Sequence, residues 1–336
     1  IVSGGELKRA LYVNVDPSKI VFSGVGKTTE EIELAKKSNI KQINAESFPE
    51  IDNIIRIANE LKVKVPVAIR VNPDIKVKTH EKIATGSNDT KFGLPIKEAV
   101  EIYKKISSEK YITTMGLAIH IGSQIFDMNE FKLAYENVLS IANSLREEGM
   151  DVPNLDLGGG LGVDYQNASI NFKDYGKTIR EVFNTYDYKL SIEPGRSLVA
   201  NSGVLVTKII YIKNSERKNF LIVDGAMNDF IRPTLYNAHH NIEPLIKSKN
   251  KEVEYDVVGP ICETGDYFIK DLKLNQPMEG QFLAIFSTGA YGSVMSSSYN
   301  SRPSAGELLV HNNKIHLLRK QEVIEYQIQK EILPDL

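Results

Sequence analysis

Met115-Gly116-Leu117-Ala118-Ile119-His120 is an apolar run that ends in a polar residue. It is followed at helical spacing by Phe131, Ala134, Tyr135, Val138, Ile141, Ala142 and Leu145, and the stripe closes at Gly149. A second short run, Asn154-Leu155-Asp156-Leu157, comes next and opens into Gly158-Gly159-Gly160-Leu161-Gly162. Strand, helix and strand in this order make a βαβ unit, whose crossover helix returns the second strand parallel to the first. The alternation continues in both directions. Ile1–Ser3, Ile20–Ser23, Gln42–Glu46 and Val67–Val71 precede it and Leu190–Ile192 follows, so seven strands are expected, nearly all followed by a helical pattern. Thr28 and Thr29 ahead of Glu30 and Glu31 mark one helix start, and Ile51, Ile54, Ile55 and Ala58 one helix face. Seven parallel units fall one short of an eight-stranded (β/α) barrel, with an open doubly wound sheet as the alternative.

After about Gly203 the texture changes to short alternating strands: Val204–Ile212, Phe220–Val223, Tyr255–Val258, Phe282–Phe286 and Leu308–Val310. The expected architecture is therefore α/β, with a (β/α)8-type barrel showing seven of its eight strands over residues 1–203 and a C-terminal antiparallel β domain over 204–336. The 336 residues carry 42% apolar and 25% charged side chains, a globular composition. Lys and Arg number 41 against 43 Asp and Glu, so the basic excess of a nucleic-acid binder is missing and small-molecule chemistry is expected. The one cysteine, Cys262, provides neither a disulfide framework nor a cysteine-rich zinc site. No apolar run reaches the ~18 residues of a membrane span and no secretory leader pattern opens the chain, which reads as cytoplasmic.

Four motifs imitate known sites and fail on one position each. Gly24-Val25-Gly26-Lys27-Thr28 lacks the glycine a P-loop needs at position 21, which is Val. Gly158 to Val163 ends in Val where a dinucleotide fingerprint has Gly or Ala, and His80-Glu81-Lys82-Ile83-Ala84 has Ala at the second metal-ligand position. His239-His240 read as solvated loop histidines that point apart, so no metal site is expected.

Polar and glycine-rich motifs stand where successive strands end, the face on which such barrels carry their active sites. These are His120-Ile121-Gly122-Ser123-Gln124, Gly158 to Gly162 and Glu193-Pro194-Gly195-Arg196. Backbone N–H groups at Gly159, Gly160, Gly195 and Ser123 can close around a phosphate, although a tight strand-to-helix turn accounts equally well for Gly158–Gly160. Glu193, held by rigid Pro194, suits a protonated ring nitrogen of a cofactor, and His120 suits its flat face unless it is an ordinary core histidine. The β region adds Asp224 to Tyr236, Gly259 to Asp266 and Gly289-Ala290-Tyr291-Gly292, all too polar for edge strands. Acidic residues near Cys262 favour the protonated thiol that a proton donor needs, against the common fate of a free cysteine as a small buried residue.

Ser3-Gly4-Gly5-Glu6-Leu7, Phe22 to Lys27, Arg70-Val71-Asn72-Pro73, Lys91-Phe92-Gly93, His120 to Gln124, Glu193 to Arg196 and Cys262-Glu263 occur in an order that resembles the bacterial diaminopimelate decarboxylases. That family has an alanine racemase-like barrel that binds pyridoxal 5'-phosphate. The resemblance runs from Ile1 to about Glu325 and implies conversion of meso-2,6-diaminopimelate to L-lysine and CO2. It implies that His120 stacks on the cofactor ring, that Glu193 contacts its nitrogen, and that Ser123, Gly159, Gly160, Pro194, Gly195, Arg196 and Tyr291 surround the cofactor. It further implies that Arg196, Arg232, Tyr236 and Tyr291 meet substrate carboxylate, Glu263 the distal ammonium, and that Cys262 returns the proton. By the same analogy Cys262 and Glu263 serve the other subunit of a homodimer. Ornithine and arginine decarboxylases typically carry Cys-Asp in place of Cys262-Glu263, and Asn300-Ser301-Arg302-Pro303 also favours diaminopimelate. The family's Schiff-base lysine belongs upstream of the motif that begins here at Ser3. The resemblance thus implies a chain without that lysine, either a fragment or a truncated product. Alone, such a chain would lack normal turnover, have an open, aggregation-prone barrel seam, and work at most as a binding module or relic. Lys27 has no such role in the family.

Overall fold

A computed structural model describes residues 1–75, 83, 85, 86, 90–167 and 169–335. They form two compact units, Ile1–Gly162 with Asn171–Gly195, and Val163–Ile170 with Arg196–Leu336.

The first unit alternates α1 (Gly4–Tyr12), β1 (Val21–Phe22), α2 (Thr29–Lys37), β2 (Gln42–Ala45), α3 (Phe48–Leu61), β3 (Val65–Asn72), β4 (Leu94–Pro95), α4 (Ile96–Ser107), β5 (Ile112–Ala118), α5 (Met128–Glu147), β6 (Asn154–Asp156), α6 (Phe172–Phe183) and β7 (Lys189–Ser191). The strands pair in the order β1-β2-β3-β5-β6-β7, all parallel, and β4 pairs with β3. β3 is buried along nearly its whole length, as expected of a parallel strand covered on both faces. The sheet curls until side chains from its two ends meet: Ser23 Oγ lies 3.5 Å from Glu193 Oε1 and Lys41 Nζ 3.2 Å from Ser191 Oγ.

Two expectations need correction here. Ile1–Ser3 is not a strand. Ile1 completes one parallel rung, its N–H donating to Val21 O and its carbonyl accepting from Ser23 N–H, both at 2.9 Å. Ser3 then caps α1 by accepting from Glu6 N–H, which leaves no length for a strand. The seventh strand is instead the two-residue β4. The stripe on α3 runs through Ile51, Ile54, Ile57 and Ala58, with Ile55 only half-buried, because one helical turn carries Ile57 rather than Ile55 to the centre of the buried face. The start of α2 is as read: Thr28 and Glu31 form a complete capping box.

The second unit contains α7 (Arg196–Val199), β8 (Val204–Asn214), β9 (Asn219–Val223), α8 (Arg232–Tyr236), β10 (Ile242–Pro244), β11 (Glu252–Val258), β12 (Tyr267–Asn275), β13 (Phe282–Phe286), β14 (Glu307–His311), β15 (Lys314–Arg319) and α9 (Ile324–Ile328). Six strands run β10-β13-β8-β9-β11-β12, and β14 pairs with β15. The sheet is antiparallel except between β9 and β11, where Val257 pairs with Leu221 in parallel, a departure from the all-antiparallel expectation. Ile209, Leu221, Val223, Phe230, Tyr255, Val257, Leu283 and Ile285 form much of its core. Val163 and Tyr165 cluster with Ala200 and Ala290.

Candidate active site

In the first unit a cavity of about 430 Å³ opens at the carboxyl ends of the strands, among Ser23, Gly24, Asn44, Arg70, His120 and Glu193. His120 stands two residues past β5. Its Nδ1 accepts the Gly159 N–H at 3.2 Å, so the neutral ring carries its hydrogen on Nε2. Withdrawal from water, and next the Arg70 guanidinium, push the imidazole down to about 4. Glu193 stands two residues past β7, open to the cavity on one side. Asp156, the last residue of β6, is buried and accepts from Gly158 N–H at 3.1 Å and Asn44 Nδ2 at 3.3 Å. Loss of water first, and then the nearness of Asp156, raise the Glu193 carboxyl. Loss of water likewise raises Asp156. Two carboxyls so placed are short of a cation.

Gly158 has φ +67°, and a Cβ on it would come within 2.3 Å of Ile119 O. On Gly159 a Cβ would meet Glu193 O at 2.1 Å, and on Gly160 it would meet Gly122 O at 2.3 Å. The tight-turn reading therefore holds, since the turn packs against the ends of two neighbouring strands and only glycine fits. Gly195 differs: a Cβ there would have nothing within 4 Å, so its surroundings are open. Ser123 is half-buried, its N–H donating to Ile83 O at 3.1 Å, and Pro194 is half-buried beside Gly195.

A buried ion-pair network escaped the sequence reading. Glu46 accepts from Gly24 N–H at 2.8 Å, Gly93 N–H at 3.2 Å and Arg70 Nη1 at 2.9 and 3.0 Å, tying together the ends of β1, β2 and β3. Lys27 is buried and paired with Glu50 at 2.6 Å, a structural cation rather than a free amine. These partners meet only through the curl of the sheet, so no spacing in the chain announces them.

In the second unit Arg196 and Arg232 are 8% and 3% exposed. Their Nη1 atoms donate to one acceptor, the Tyr165 hydroxyl, at 2.8 and 3.0 Å. Arg196 also lies 4.8 Å from the centre of the Tyr291 ring, and Arg232 lies 4.9 Å from that of Tyr165. Burial pushes the Arg232 guanidinium down, and its Nε is buried with no hydrogen-bond partner. Tyr236, at the end of α8, is half-buried. Tyr165 was not anticipated; its only signal was its place five residues after Gly160. His240 was misread: it is fully buried, with its ring 4.6 Å from Tyr165 and 4.7 Å from Phe230, whereas its neighbour His239 is exposed. Adjacent residues on an extended chain do point apart, and one of them points into the core.

Cys262 and Glu263 are both exposed, so Cys262 is not the small buried residue that a free cysteine commonly becomes. Their loop is built around Asp266, whose carboxylate accepts from Met227 N–H and Ile261 N–H, both at 2.7 Å. Asn300 Nδ2 reaches Cys262 Sγ at 3.8 Å.

Residues 1–200 match the family model described as pyridoxal-dependent decarboxylase, pyridoxal binding domain. The chain is 44% identical to the diaminopimelate decarboxylase of Zymomonas mobilis over 97% of its own length and 78% of that protein, and 43% identical to that of Aquifex aeolicus over 98% and 79%. It belongs to the diaminopimelate decarboxylase family. A crystal structure of the Helicobacter pylori diaminopimelate decarboxylase complexed with L-lysine superposes with a TM-score of 0.94 at 43% identity, covering 98% of this chain and 83% of that one. Members of this family are pyridoxal-dependent carboxy-lyases, and the expected fold class holds for this chain.

The structure thus brings His120, Glu193, Gly159 and Gly160 together in the first unit, and Arg196, Arg232 and Tyr291 together in the second. The His80 to Ala84 motif lies, apart from Ile83, outside the described residues. Among the described residues no group of three or more His, Cys, Asp or Glu side chains is placed to hold a metal, and no helix is long and apolar enough to cross a membrane.

Proposed function

We propose that this family member converts meso-2,6-diaminopimelate to L-lysine and CO2 in the cytoplasm, using pyridoxal 5'-phosphate. The observation that carries the reading is the Glu193–Asp156 pair beside a neutral His120: both carboxyls are raised by loss of water, and Glu193, which lines the cavity, is raised further by the nearby Asp156. These residues fit the cofactor. A protonated ring nitrogen answers the shortage of positive charge, the imidazole face suits an aromatic ring, and the open space at Gly195 suits a phosphate. When bound, the cofactor supplies an electron sink for the carbon that loses CO2.

The chain's own residues would do the rest. His120 would hold the ring flat, its tautomer fixed by Gly159. Glu193, ionised by the ring nitrogen it faces, would keep that nitrogen protonated. Ser123, Gly159, Gly160, Pro194, Gly195, Arg196 and Tyr291 would surround the cofactor and its phosphate. Arg196, Arg232, Tyr236 and Tyr291 would orient a substrate carboxylate, to which guanidinium groups bond in a forked, directional way. Glu263 would take the distal ammonium. Cys262 would give its Sγ proton to the carbon that has lost CO2 and recover one from solvent. Of these, residues 1–203 would supply every cofactor contact except Tyr291, and residues 204–336 every substrate contact except Arg196. Exposure of Cys262 and Glu263, together with the exposed apolar side chains Leu308, Val310, Ile315 and Leu317, supports a homodimer in which these two residues serve the partner's site.

The test is release of CO2 and formation of L-lysine when the gene product is incubated with cofactor and meso-diaminopimelate. Comparable turnover of L-ornithine or L-arginine would place it with those decarboxylases instead, and no turnover of any of the three would leave a binding module.

A further inference from the structure

We propose that Tyr165 is a positioning residue of the carboxylate site: its hydroxyl holds Arg196 and Arg232 side by side as one doubly charged anion receptor, and His240 holds Tyr165 in place. The inference rests on the reading above, in which these two guanidinium groups take a substrate carboxylate.

Two buried cations repel each other and need an acceptor to stay together. An aspartate or glutamate between them would do this but would also neutralise them and compete with an incoming carboxylate. Among the described residues no carboxylate lies within ion-pair distance of Arg232. The acceptor the two share is instead a phenol hydroxyl, which takes one N–H from each arginine at 2.8 and 3.0 Å and brings no carboxylate to compete with an incoming one. A tyrosine oxygen has two lone pairs and one proton. Both lone pairs are used by the arginines, so the proton remains to be donated, and a carboxylate oxygen is the acceptor suited to it. The Arg232 Nε–H, buried without a partner, is a second donor awaiting one.

The ring that carries this hydroxyl is itself fixed. His240 packs on it at 4.6 Å between ring centres, and Phe230 in turn meets the imidazole edge to face at 4.7 Å. His240 Nδ1 lies 2.9 Å from Phe286 O, so Nδ1 carries the hydrogen and donates it. Burial, together with the two arginines, disfavours the imidazolium, so His240 supports Tyr165 without adding a third positive charge. A charged or mobile side chain in its place would split the pair.

The experiment compares Tyr165→Phe with wild type in the cofactor-loaded protein, by calorimetric titration with two ligands of the same diamine skeleton. L-Lysine retains a carboxylate and 1,5-diaminopentane has none. Losing the shared acceptor of two charged hydrogen bonds should weaken L-lysine about tenfold or more and leave 1,5-diaminopentane within about twofold. The phenylalanine ring keeps the packing on His240, so the melting temperature should stay within about 3 °C. The KM for diaminopimelate should rise with L-lysine's Kd while kcat changes little. Unchanged L-lysine binding, or equal weakening of both ligands, would overturn the role of Tyr165. If wild type binds the two ligands equally well, the assignment of the arginines fails, and this inference with it.

Discussion

Glu193 holds its proton more tightly in the folded chain than a free carboxyl does, and this gives a sign that can be tested. A carboxyl with a raised folded value withdraws stability as pH climbs, because the native state must give up a proton the unfolded state has already lost. For the cofactor-free protein the window lies between about 4.5 and 7. Glu193→Gln should flatten the decline in stability across that window, read from urea midpoints at the two ends, and should weaken cofactor binding. An equally steep decline in the variant would show that Asp156 alone governs it. At this scale the sequence was informative where a residue's type and its place at a strand end coincided, as for His120 and Glu193. It was silent on Asp156 and Glu46, ordinary members of apolar runs whose partners arrive from other strands. It misled on His240, because nothing local distinguishes the histidine that turns inward from the one that turns out.

Among the elements, β5 and β6 are held in register by one glycine. Gly116 pairs with Asn154 at φ +129°, and a Cβ there would come within 1.8 Å of Asn154 O. Gly116→Ala should therefore cost about 3 kcal/mol or more, because backbone rather than a flexible side chain must give way. By contrast Thr28→Ala removes half of a capping box on α2 and should cost only about 1 kcal/mol. Both are read from chemical denaturation midpoints, and a smaller loss for Gly116→Ala than for Thr28→Ala would contradict the packing argument. The parallel elements were legible because burial on both faces demands continuous apolar runs with amphipathic helices between them. Three strands of the second unit were not. β10 contains Pro244 and lies at the end of the sheet order, where proline is tolerated. β12 carries Lys270, Asp271 and Lys273, which break its apolar pattern, and β15 is exposed along its whole length.

For the whole molecule, two histidines set an acid limit. His120 and His240 are both pushed down from 6.5 to about 4, chiefly by burial. A histidine with a depressed folded value contributes stability that is present above its unfolded value and is lost as pH falls toward the folded one. Between pH 6.5 and 4 each should cost the fold up to roughly 3 kcal/mol. Raised carboxyls such as Glu193 and Asp266 act in the opposite sense, so the clean measurement is a difference. The stability gap between wild type and His240→Gln should narrow as pH drops from 7 to 4, and a constant gap would show that His240 does not resist protonation.

The chain's path between the two units bears on how the molecule is made. Val163–Ile170 belongs with residues from Arg196 onward, yet it interrupts the first unit, which resumes at Asn171. On the ribosome Tyr165 is therefore synthesised well before Arg196, Arg232 and His240. At about 5–20 residues per second, it waits several seconds for the last of them. Until then its side chain lacks the two arginines that donate to it and the histidine packed on its ring in the folded chain. Since neither unit is one continuous length of chain, no single cut between residues separates them, and a ribosome stalled just before Asn171 has begun both units and completed neither.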